Sequence, residues 1–254
     1  MTDTDRNAPP APPAGDYQFE GHTVAAGHGW DWIVAAFALF RRKPGMWILI
    51  SVALGVMFVV ISMIPLLGNF ASALLLPIFA GGLMIGCKDL ERDGPFEFEH
   101  LFAGFRQKTG DLVMVGAFNL VGWVVITFAV LAVVGGGVFV GVMRGGMPGA
   151  GISLAAMLIA LLLVAGLSVP LYLATWFAPV LIVLQDMTAG EALKVSFFAC
   201  IRNWLPFLVY SAVLFVLCLV AAIPAGLGFL VLLPVLIASV YTAYRDIFCS
   251  VQAT

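Results

Sequence analysis

The chain has 254 residues, of which 62% are apolar and 10% charged, with a formal charge of −2. An ordinary soluble domain is roughly 45–50% apolar and about 25% charged, so this composition excludes a water-soluble globule and points to a bilayer. The slight negative charge also argues against a nucleic-acid partner, which needs clustered Lys and Arg to neutralise phosphate.

Residues 1–29 include Ala8-Pro9-Pro10-Ala11-Pro12-Pro13-Ala14-Gly15 and few large apolar side chains, which predicts a disordered or extended tail. A cleavable signal would set a basic stretch directly before a short apolar one at the start. That arrangement is missing, so the first transmembrane helix itself is expected to direct insertion. From Trp30 to Arg42 the residues Trp30, Ile33, Val34, Phe37 and Phe40 fall at helical spacing and lead into Arg41-Arg42-Lys43. A helix of this kind lies in the headgroup layer. Trp30, Trp32, Arg41, Arg42, Lys43 and Trp47 therefore read as membrane-interface anchors, and Arg202 and Trp204 read the same way further along.

Met46–Leu67 is a charge-free run and Phe70–Cys87 follows after a two-residue turn, which predicts a tight transmembrane hairpin. Leu112–Met143 and Ile152–Leu184 form a second pair. At about 1.5 Å per residue either exceeds a roughly 30 Å hydrocarbon core, so each must tilt, kink or project. Trp204–Ala222 and Gly228–Phe248 make the third pair. A membrane β-barrel would alternate in polarity, and these runs are apolar on every face. The fold class is thus all-α, a polytopic transmembrane bundle of about six spans. It occupies residues 30–254 as a single domain.

The 12 Lys and Arg residues give the orientation. Arg6, Arg41, Arg42 and Lys43 precede span one; Lys88, Arg92, Arg106 and Lys108 lie between spans two and three; Lys194 and Arg202 lie between spans four and five; Arg245 ends span six. Arg144 alone falls on the other side. Positive residues concentrate in the cytoplasm, so both termini are expected there. None of the acidic residues lies inside an apolar span, which argues against the buried ionisable groups of ion-coupled transporters and proton relays.

An internal repeat is also legible. Leu75-Leu76-Pro77 with Lys88-Asp89 matches Leu232-Leu233-Pro234 with Arg245-Asp246 at one constant offset, and Trp32–Phe37 matches Ala192–Phe197 once a short indel is allowed. A middle copy carries Pro170. The plan predicts three parallel repeats, about 30–89, 98–186 and 188–248, each an interfacial helix followed by a transmembrane hairpin. Pro77, Pro170 and Pro234 remove a helix hydrogen bond in each second span and are candidate kinks. The glycine pairs Gly82/Gly86 and Gly137/Gly141 have the spacing for close helix approach within the chain.

No catalytic, cofactor or metal constellation is present. Cys87, Cys200, Cys218 and Cys249 stand singly and are expected as free thiols. The Glu97, Glu99 and His100 group reads as a helix-capping loop before it reads as a proton or metal site. The run from Ala178-Pro179 through Gln185-Asp186, Glu191, Lys194, Ser196 and Arg202-Asn203-Trp204 resembles a pattern in uncharacterised bacterial inner-membrane proteins. So do Gly27-His28-Gly29-Trp30 through Arg41-Arg42-Lys43-Pro44-Gly45-Met46-Trp47, and Glu99-His100-Leu101-Phe102-Ala103-Gly104-Phe105. The set is distantly similar to the membrane domain accompanying glycerophosphodiester phosphodiesterases, without room here for their soluble catalytic domain. The resemblance implies an inner membrane and six helices, with no catalytic residues to carry over. The expected function is a non-enzymatic membrane scaffold or accessory subunit, with membrane lipids and a membrane-protein partner around it. The alternative is a carrier or channel for an apolar or lipid-like molecule.

Overall fold

The computed structural model describes residues 21–65, 67–143 and 154–249, and among these the regular structure is all helical. The order is α1 (His28–Arg42), α2 (Pro44–Ser62), α3 (Leu67–Glu91), a 3₁₀-helix (Phe98–Phe105), α4 (Thr109–Met143), α5 (Leu154–Trp176), α6 (Ala178–Gln185), α7 (Ala189–Arg202), α8 (Trp204–Ala222) and α9 (Phe229–Cys249). Six stretches are long and apolar enough to cross a membrane: α2, α3, α4, α5 with α6, α8 and α9. These are the six spans that hydropathy predicts, with ends shifted by a few residues.

Local chemistry sets the joints. Lys43 is forced out of the helical region (φ −143°, ψ 63°) by the proline after it, so α1 stops. Pro44 then opens α2 at a position where a missing N–H costs little. At α7 the Thr188 N–H and O–H both donate to Glu191, at 3.1 and 2.8 Å. That pair holds the Glu191 carboxyl below its ordinary value, so the cap is charged at neutral pH and fades only as acid titrates it. Asp111 of α4 accepts the Ala189 N–H at 2.9 Å and Lys108 pairs with Asp186 at 3.0 Å, joining the starts of α4 and α7. The Lys108 ammonium is raised above its usual value by the Asp186 hydrogen bond.

The two over-long spans resolve differently. α4 runs unbroken for 35 residues, a rise of about 50 Å that must tilt or project beyond the hydrocarbon. The fourth span instead breaks at Phe177, between α5 and α6. There the buried Ser196 of α7 enters the helix ladder: the Phe177 N–H donates to Ser196 Oγ at 3.0 Å, and the Ser196 O–H donates to the Leu173 carbonyl at 2.7 Å. A side chain inserted between a carbonyl and its fourth-neighbour N–H is a recognised cause of helix bending. Pro179, next to the break, has no N–H to restore the ladder.

The buried core lies toward the end that carries the short helices. In α2 only Trp47, Ile50 and Ser51 of the first turns are buried, whereas Val56, Val59 and Val60 are exposed. In α9 burial runs from Leu232 to Phe248. The outer halves of the spans present Phe128, Leu162, Phe215 and Ile223 on the surface, as suits helices whose solvent is hydrocarbon. Each short helix packs chiefly on a long one: the 3₁₀-helix on α3, α7 on α5 and α6, α1 on α9.

The tail boundary needs correction. Residues 21–29 were expected within the disordered tail, yet they are docked: Arg202 donates to the Gly21 carbonyl at 3.1 Å, the His22 N–H to Ile247 O at 3.0 Å, and the Val24 N–H to Asn203 Oδ1 at 2.9 Å. Asn203 is buried and returns a bond to His22 O. The Pro-rich stretch itself lies outside the described residues.

Candidate functional site

The predicted anchors fall into two groups. Trp30 and Trp204 are exposed, 52% and 60%, as a headgroup anchor should be, and Arg41 and Lys43 are exposed with them. Arg42 is exposed as well, but it is tied to the end of α3, donating to Leu90 O and Asp93 Oδ1, both at 2.8 Å. Trp32 and Trp47 are not at the lipid surface. Trp32 is buried and its indole N–H donates to Asp246 at 2.8 Å. Trp47 is fully buried with its ring centroid 4.4 Å from that of Phe96. Hydropathy cannot tell a tryptophan facing headgroups from one facing a neighbouring helix.

These contacts belong to a polar clamp at the charged end. α9 supplies Tyr241, Thr242, Arg245 and Asp246 on adjoining turns. Tyr241 donates to Glu91 at 2.7 Å and Arg245 pairs with the same carboxylate, while Thr242 donates to the Trp32 carbonyl and Asp246 also binds His28 Nδ1, each at 2.8 Å. α9 thereby fastens both α1 and the end of α3. His100 caps the 3₁₀-helix through Glu97 N and reaches Asp89 at 3.1 Å, so that loop is a capping arrangement. All four cysteines are free, and burial pushes the Cys200 thiol up to about 12.

The three prolines differ in surroundings. Pro77 and Pro234 are buried and Pro170 is exposed, and a helix continues through each. The break in the fourth span comes at Phe177, beyond Pro170. Gly82 and Gly86 of α3 face the 3₁₀-helix and Phe96, so that glycine pair serves packing within the chain. Gly137 faces Ala156.

The cavity beside Pro77 is the most enclosed of the spaces with capacity for an apolar ligand. It measures about 300 Å³ and lies between α2, α3, α4, the α5/α6 break and α9, at the low end of the range for small-molecule sites. Its floor is made by Leu83, Val115 and Val180, all exposed by 1% or less. Its rim includes Leu76 and Tyr172, exposed by 59% and 60% at a surface that faces lipid. Among the described residues no Asp, Glu, Lys, Arg or His lines it. Such a space suits an apolar guest arriving from the side. Sequence reasoning passed over its polar members, Asn119, Tyr172 and Thr175, because it searched the spans for ionisable groups. The available signal was an amide inside a charge-free run.

A protein of Burkholderia thailandensis named as a probable inner membrane protein is 30% identical over 250 residues, covering 89% of this chain and 92% of the relative. No family model and no solved structure matches.

Proposed function

Because the chain belongs to the family of that Burkholderia thailandensis protein and is an integral, multi-pass protein of the bacterial inner membrane, we propose that it takes an apolar, lipid-like molecule from the bilayer. The observation that carries this reading is the cavity that runs from a lipid-exposed rim at Leu76 and Tyr172 to a buried floor at Leu83 and Val180. An uncharged lining matches uncharged cargo.

Two substitutions test it. Leu76→Trp narrows the exposed rim without touching the core, and Ala80→Trp fills the interior. Each is expected to lower retention of a fluorescent long-chain acyl probe by about tenfold or more, a loss of ~1.4 kcal/mol, while the thermal midpoint of Leu76→Trp stays at wild type. Unchanged retention in both variants would sink the proposal.

A scaffold or accessory subunit is the second reading, favoured by Phe98, Phe102 and Phe105, a contiguous and partly exposed aromatic strip on the 3₁₀-helix. Recognition at that face requires the charged end to be cytoplasmic. Support comes from the basic residues gathered there and from the meeting of both described chain ends, His22 with Ile247. The exposed Cys249 is then expected to react with an impermeant maleimide in inverted vesicles and to stay unlabelled in intact spheroplasts. The reverse pattern rules out this orientation.

Three parallel repeats remain part of the proposal. Their support is the recurring order of one short and two long helices, together with the seating of each short helix on the second span of the unit before it, α1 on α9 included.

A further inference from the structure

Asn119 and Tyr172 stand out among the cavity's lining residues. Both also border a second space of about 280 Å³ on the α4/α5 side, next to Trp123 and Ser168. They form the wall common to the two. Among the described residues nothing hydrogen-bonds the Asn119 amide or the Tyr172 hydroxyl, and the neighbouring Thr175 hydroxyl is turned back onto the Leu171 carbonyl at 3.0 Å. An amide without a partner is costly to take out of water. Packing gives no reason to keep it, because Leu has nearly the same size and would cost nothing in this setting. A neutral amide in a span ordinarily hydrogen-bonds a neighbouring helix, and here, among the described residues, none takes it, which leaves it open to a guest in the cavity.

Depth narrows the chemistry. Asn119 lies seven residues past Leu112, where the charge-free run of α4 begins, about 10 Å along the axis and so clear of the charged end. A charged headgroup cannot follow its chain there. The amide offers two donors and a carbonyl, and the phenol one donor and an acceptor, which together satisfy one neutral oxygen.

Building on the reading that the cavity is a ligand site, we infer that its occupant is a neutral, headgroup-free lipid whose single carbonyl or hydroxyl oxygen is hydrogen-bonded by Asn119 and Tyr172. The oxygen fixes the register of the molecule. The apolar remainder fills the space against Leu83, Val115 and Val180.

The test uses the full chain in nanodiscs with three probes of equal chain length: a labelled fatty alcohol, the corresponding alkane and a labelled phospholipid. Wild type is expected to retain the alcohol about fivefold better than the alkane, the effect of one net hydrogen bond, and to retain little phospholipid over its bulk level. Asn119→Leu combined with Tyr172→Phe should erase the preference while leaving alkane retention intact, which shows that the variant is folded and the cavity open. A preference that survives in this variant overturns the inference and leaves the cavity a plain apolar site. Phospholipid retained as well as the alcohol overturns it too, in favour of an ordinary bilayer lipid. If wild type retains none of the probes, the underlying reading fails with it.

Discussion

Trp47→Ala is expected to destabilise the protein by about 3–5 kcal/mol, the usual cost of emptying a fully buried tryptophan site. Trp47 has no exposed surface, and its ring packs against Phe96, itself 1% exposed. The loss is one of dispersion contacts and a residual cavity, so it holds whether water or hydrocarbon bathes the outside. The indole Nε1 has no hydrogen-bond partner among the described residues. Trp47→Phe removes that orphan donor and keeps an aromatic ring against Phe96, so it should cost less than about 1.5 kcal/mol. The checking measurement is the thermal or denaturant midpoint in a mild detergent. An interface anchor would behave otherwise: its removal would leave the midpoint nearly unchanged and alter only the depth or tilt of α2. Equal, small effects for both substitutions would return Trp47 to the lipid surface.

Gly104→Ala is expected to unseat the 3₁₀-helix. A Cβ there would lie 2.0 Å from the Ile78 carbonyl oxygen and 3.2 Å from the Gly82 amide nitrogen, both backbone atoms of α3 that cannot swing aside. Overpacking of this kind costs about 1–3 kcal/mol and more where only the main chain can give way. The same displacement would pull Phe102 and Phe105 from Phe79 and His100 from Asp89. Gly110→Ala is the control, because nothing lies within 4 Å of its Cβ position. There the gain in helix propensity should leave stability equal or raise it by up to about 1 kcal/mol. Yield of monodisperse protein on size exclusion, followed by thermal scanning, separates the two. A Gly104→Ala protein as stable as Gly110→Ala would mean that the 3₁₀-helix does not sit against α3.

How much of this was legible beforehand depends on which residues are asked. Trp204–Ala222 was read from the sequence with both ends where the structure has them, since Asn203 and the turn after Ala222 bound a clean apolar run. Arg41 and Lys43 were legible as exposed because a charge beside an apolar helix has nowhere else to go. Trp32 was misread as a membrane anchor, because its partner, Asp246, is at the other end of the chain. Ser196 could not be interpreted at all. Nothing in ALKVSFFAC says that its hydroxyl will bend a helix from another part of the molecule. Asn119 was passed over in the sequence and became a candidate only once Tyr172 and the cavity stood beside it.

The amino-acid sequence by itself determined the solvent of this protein, the number of its spans and their approximate ends. Those follow from transfer energy, which is additive along the chain and indifferent to neighbours. Only the tertiary structure decided which tryptophans are core, where the fourth span breaks and where a cavity is left. Within hydrocarbon, apolar side chains gain nothing by choosing a helix over a lipid, so the choice falls to shape and to a few hydrogen bonds between residues far apart in the chain.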